Sequence, residues 1–189
     1  MSRLALAAGL LPLTALVACS AEASSDGSAD EGVPAGVAEQ YSVLAQEVAE
    51  RGGQAKTGEW TVSYIVEAAE PWHEAHEGET HFRQPTAQET HHIEIIPTET
   101  ATGRIVPDVP ITLQVLDAEG KVVDEKQLQF LHSTFFHYAN NFEVPEEGKY
   151  TLRATLGAPG FARHGEEGEQ PALAEGAEVE FEDVELARE

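Results

Sequence analysis

The chain is 189 residues long, enough for one domain with a sizeable core plus tails. Its 34 Asp and Glu outweigh 11 Lys and Arg, a formal net charge of -23 that repels phosphate backbones and excludes nucleic acid as a partner. The single Cys, Cys19, rules out an intrachain disulfide, and the single Met is the initiator, so no thioether follows it.

Such acidity attracts cations only weakly through salt and suits solubility in a salty medium. Along the chain, residues 1–19 read as a targeting segment. Arg3 precedes the apolar run Leu4 to Val17, which is too short for an ordinary membrane span. It ends in Leu16-Val17-Ala18-Cys19 and resembles a bacterial lipoprotein signal, in which the Cys is lipidated and becomes the new N-terminus. The alternative is a plain secretory signal with Cys19 removed or idle. Lipidated, the chain is expected outside the cytoplasm, anchored to the cell membrane by acyl chains alone, in a periplasm or on the outer face.

Residues 20–36 are small, acidic and Gly/Ser-rich, and predict a flexible tether. Val37, Tyr41, Leu44 and Val48 then recur at helical spacing before Gly52-Gly53, predicting a short helix over 37–53. From Glu59 the period changes to two. Strands are predicted around Trp60–Val66, Thr90–Ile96, Pro110–Leu116, Lys121–Leu131, Phe135–Val144, Lys149–Leu156 and Ala177–Leu186, with a bulge near Glu182. About seven short strands between turns predict an all-β, immunoglobulin-like antiparallel sandwich over residues 58–187.

The chemistry lies in the eight histidines, which fall in three groups. The strand Thr90–Pro97 puts His92, Glu94 and Ile96 on one face and His91, Ile93 and Ile95 on the other. An imidazole and a carboxylate two residues apart, aimed the same way, make half of a metal site on a rigid element. His91 faces away and is read as structural. His73, His76 and His81 lie with Glu74, Glu77 and Glu79 in a polar loop, read either as solvated or as a secondary metal-gathering loop. Its order, His-Glu-Ala-His-Glu, is not the His-Glu-x-x-His of a zinc-protease helix. His132, His137 and His164 are spread through the back half. A lone His on an apolar strand more often packs than coordinates, so each depends on its company.

Three further segments supply that company: His137-Tyr138-Ala139-Asn140-Asn141, Gly148-Lys149-Tyr150-Thr151-Leu152 and Gly160-Phe161-Ala162-Arg163-His164. With His92-Ile93-Glu94 they resemble, in order, motifs of the periplasmic ferrous-iron-transport protein family, over roughly residues 58–187. The resemblance implies an immunoglobulin-like sandwich that binds copper, forms a homodimer and serves iron uptake beside a membrane iron permease. It also implies the metal ligands His92, Glu94, His137 and His164, with His132 nearest the place where the family carries a Met. Imidazole in place of a thioether suits Cu(II), Fe(II), Zn(II) or Mn(II) rather than Cu(I). The ligands are expected to converge at one end of the sandwich, with Arg163 orienting a carboxylate or pairing with a surface acid. Because neutral imidazole is the ligand form, binding should weaken below about pH 6.

The leading expectation is therefore an extracytoplasmic, lipid-anchored protein that binds copper or ferrous iron through a His/Glu site. A copper chaperone or metal scavenger is close to it, and a non-metal envelope adhesion module is the reading from another class. An open metal site could also activate water, but no separate general base or nucleophile stands beside this one, so an enzyme is not expected.

Overall fold

The computed structural model describes residues 32–76 and 78–188. The signal with Cys19 and most of the tether, like the side chain of His76, lie outside the described residues. The helix forms as α1, Ala35–Arg51, and eleven strands follow: β1 Gly52–Thr57, β2 Trp60–Ala68, β3 Trp72–His76, β4 Glu79–Arg83, β5 His91–Glu99, β6 Ile111–Leu116, β7 Val122–Gln127, β8 Gln129–His132, β9 Phe136–Phe142, β10 Gly148–Leu156 and β11 Ala177–Leu186. All pairings are antiparallel, in one sheet of order β1-β2-β5-β9-β8 and another of order β11-β10-β6-β7. The all-β sandwich is as expected.

Alternation fills the space between the sheets. Val62, Ile93, Ile95, Tyr138 and Phe142 from the five-stranded sheet meet Ile111, Leu113, Leu152, Phe181 and Leu186 from the other. A second, smaller core lies on the outer face of the five-stranded sheet. There Ile65, Ile96 and Phe135 pack under α1 through Leu44, with Tyr41 and Val48 beside it. The helix thus covers that part of the face.

Three features depart from the expected elements. The helix stops at Gly52 as expected, but the backbone there is extended and opens a strand, β1, that the periodicity does not predict. It passes so close to β2 that a Cβ there would stand 1.9 Å from the carbonyl oxygen of Tyr64. The predicted strand over 121–131 is two strands, because Leu128 turns inward between them and the chain crosses from one sheet to the other. The polar loop carrying His73 is a hairpin, β3–β4, with Trp72 opposite Arg83 and His73 opposite Phe82. The bulge expected near Glu182 is present at Glu182-Asp183, where Tyr150 pairs with Val184 but Leu152 with Phe181, and Asp183 takes a positive φ of 58°.

Candidate metal centre

β5 turns Ile93 and Ile95 into the main core, so His92, Glu94 and Ile96 must face outward, beneath whatever covers the sheet. Register supplies their neighbours. Glu67 and Asn141 flank His92, while Ile65 and Ala139 flank Glu94. Two residues before Ala139 on the same face comes His137, diagonal to Glu94. Ligand atoms of His92, Glu94 and His137 lie within 4.8 Å of one another, and all three residues are buried. Donors about 2.0–2.2 Å from a common ion stand at most roughly 4.4 Å apart, so small side-chain rotations close this set around a cation.

Hydrogen bonds fix which nitrogens are offered. Asn141 donates from Nδ2 to the carbonyl of Glu70, and its Oδ1 accepts from the Glu70 N–H. The same Oδ1, 2.9 Å from His92 Nδ1, accepts that ring's proton. His137 Nδ1 donates to the carbonyl of Phe135 at 3.3 Å. Both rings therefore keep Nε2 as a bare lone pair. Glu94 Oε1 lies 3.5 Å from His137 Nε2, and its other oxygen, Oε2, is buried with no partner among the described residues. An orphaned carboxylate oxygen beside two free imidazole nitrogens is the donor set of a first-row divalent ion.

The same burial sets the protonation. Burial, then the charges of Glu67, Glu47 and Glu70, push the Glu94 carboxyl up to about 8, with Arg51 partly offsetting them. Burial brings His137 down to about 4, against the carbonyl of Phe135, and lowers His92 as well. At neutral pH the Glu94–His137 contact joins a protonated carboxyl to a neutral imidazole and is not an ion pair.

Of the remaining predicted residues, some share a cavity with the triad and others lie elsewhere. His132 is exposed on β8 against the ring of Phe136, at 4.5 Å, and lines a cavity of about 440 Å³ together with His73, His92 and His137. His164 lies in another cavity, with Glu99, Arg104 and Leu173. Glu99 is seven residues along β5 from His92, about 23 Å. The candidate ligands gather on the sheet face, not at one end of the sandwich, and His164 does not lie with them within one chain. Among the described residues Arg163 neither orients a carboxylate nor pairs with a surface acid: its guanidinium donates to the carbonyls of Ala172, Phe161, Pro159 and Leu173. His81 lies 4.0 Å from Glu79, and His91 is held by Thr90 and the carbonyl of Ala187. Asn141 and Trp72 were not singled out from sequence. Trp72 packs on His92 and lies beneath Arg83, whose guanidinium carbon is 4.2 Å from the indole centre.

Residues 60–186 match the profile of the Fe2+ transport protein family. Among solved structures, the chain is 17% identical to FetP of uropathogenic Escherichia coli, covering 72% of this chain and 96% of that one, with a TM-score of 0.53. It is 16% identical to the copper-reconstituted P19 protein of Campylobacter jejuni, covering 73% and 97%, with a TM-score of 0.55. A copper-bound variant of the Escherichia coli FetP gives 15% identity, 72% and 90% coverage and a TM-score of 0.57. No curated protein matches the chain by sequence. No helix among the described residues is long and apolar enough to cross a membrane.

Proposed function

The chain belongs to the Fe2+ transport protein family, and from that premise we propose that it is an extracytoplasmic, lipid-anchored protein that binds copper or ferrous iron for uptake by a membrane permease. The ion is the cargo. Its ligands are His92 Nε2, His137 Nε2 and the Glu94 carboxylate, and the observation that carries this is their convergence in a buried pocket around an unpartnered carboxylate oxygen. Without any thioether the set favours Cu(II) or Fe(II) over Cu(I), with Zn(II) and Mn(II) as competitors. Copper is also what two structural neighbours hold. By resemblance His164 belongs to the ligand set too. From its separate cavity it would reach this triad only in a second copy of the chain, so we read the working form as a homodimer. Lipidation of Cys19 supplies the anchor, and nothing in the centre calls for catalysis.

A competitive titration with Cu(II), Fe(II), Zn(II) and Mn(II) tests the centre. Wild type should hold an ion tightly, and the His92→Ala/His137→Ala variant should lose it. Tight binding that survives the double substitution sinks this assignment.

A further inference from the structure

On the metal-binding reading above, we propose that Arg51 is a positioning residue: through Glu67 it clamps helix α1 over the Glu94 side of the triad, and this closure sets how fast the ion leaves. Helix α1 precedes the residues that match the family profile, and its contacts run along the outer face of the five-stranded sheet. Tyr41 Oη accepts the Ile105 N–H at 3.3 Å, Leu44 packs with Ile65 and Ile96, and Arg51 pairs with Glu67. Ile65 stands opposite Glu94 in the strand register, and Ile96 is two residues on from it along the same face. Glu67 stands opposite His92. The helix therefore passes over the neighbours of Glu94 and is tied down beside His92. The charges of Glu47 and Arg51 both act on the Glu94 carboxyl, as that placement requires.

The helix is lightly packed. Leu44 is its one buried side chain, and a cavity of about 440 Å³ lies between it and the sheet, lined by Tyr41, Val48, Ser63 and Thr98 among others. Elements with so few buried apolar contacts open locally at low free energy. The Arg51–Glu67 pair weighs against that opening. Glu67 is largely buried, so the pair is screened less than a surface pair, and breaking it leaves a poorly solvated carboxylate under the helix. Arg51 also precedes Gly52, where the chain enters β1, so the pair fixes the angle at which the helix leaves the sheet. An ion leaves as water replaces its donors in turn. His92 and His137 already line the cavity between the hairpins, whereas Glu94 does not. Lifting α1 therefore wets the carboxylate, and the clamp on α1 holds the ion in.

Cu(II) is the probe, loaded on the full-length chain and withdrawn by excess EDTA in a stopped-flow experiment. Arg51→Gln and Leu44→Ala should each speed release about tenfold, and Arg51→Lys, which keeps the charge, should bring it back to within about threefold of wild type. Glu67→Gln should match Arg51→Gln, and the double variant should exceed neither, because both break one interaction. Hydrogen exchange separates a loosened helix from a loosened fold. In Arg51→Gln the α1 amides should exchange about tenfold faster, while those of β6 and β10 in the other sheet keep their protection. By linkage, bound Cu(II) should protect the α1 amides of wild type. Should Leu44→Ala fail to fold, Arg51→Gln still decides, since that side chain is 38% exposed. Release from Arg51→Gln as slow as from wild type overturns the proposal and leaves the metal centre standing. So does faster release accompanied by equally faster exchange in β6 and β10. No uptake of Cu(II) by wild type removes the centre and the role of the clamp together.

Discussion

Glu94 carries the largest electrostatic consequence of any side chain in the centre. With its carboxyl raised to about 8, an ion that seats there below that pH must expel one proton. Cu(II) affinity should rise about tenfold per pH unit between pH 5 and 7 and level off above 8, which titration in buffers of different ionisation enthalpy would read out. Below about 4, protonation of His137 should steepen the loss. A second consequence concerns folding. The carboxyl binds its proton more tightly folded than unfolded, so its contribution is fully present below the ordinary 4.5 and is lost as pH rises towards about 8. Metal-free wild type should therefore lose roughly 3–5 kcal/mol between pH 5 and 8 from this group. Glu94→Gln, neutral throughout, should remove that loss in thermal melts made in chelator; a melt equally pH-sensitive in the variant would contradict the assignment. Asn141 acts one step out, fixing the His92 tautomer. Asn141→Ala should weaken binding by about 10–100-fold while leaving Glu94 and His137 in place.

At the scale of elements, the pairing of β2, β5 and β9 builds the site. Its residues are fixed by register, since a slip of one position would turn His92 and Glu94 into the inter-sheet core. That half of the centre was legible in His92-Ile93-Glu94, because apolar alternation marks the buried face without knowledge of any partner. The β3–β4 hairpin was not legible. Its pairs are His73 with Phe82 and Glu74 with His81, with no apolar alternation, and much of its contact comes from Trp72 lying over His92 and beneath Arg83. The split between β7 and β8 was hidden for a similar reason: one continuous run can serve two sheets when a single residue, Leu128, turns inward. Gly52 ties α1 to the sheet, and this can be tested directly. Gly52→Ala places a Cβ 1.9 Å from a backbone oxygen that cannot swing aside. It should cost roughly 2–3 kcal/mol in denaturant melts, and a variant as stable as wild type would mean that α1 and β1 can shift freely.

For the whole molecule, the surface charge of -23 and the distance between His164 and the triad set what assembly must accomplish. Two such acidic copies repel, so screening or bound cations should favour association. Sedimentation of wild type should show a dimer that tightens with added Cu(II) and with salt. His164→Ala should abolish the copper dependence and keep the salt dependence. A monomer under all these conditions would exclude a ligand shared between copies.

Sequence by itself determined the strand periods, the sandwich class and the pair of donors on β5, because alternation and turn chemistry are local and each strand carries its own. Which histidines meet was decided only in three dimensions. His137 joins His92 because β9 pairs beside β5, Asn141 orients a ring 49 residues away, and His164 ends in another cavity. The raised carboxyl of Glu94 has the same origin. It is the product of burial first and then of the charges of Glu67, Glu47 and Glu70, all brought there by tertiary packing.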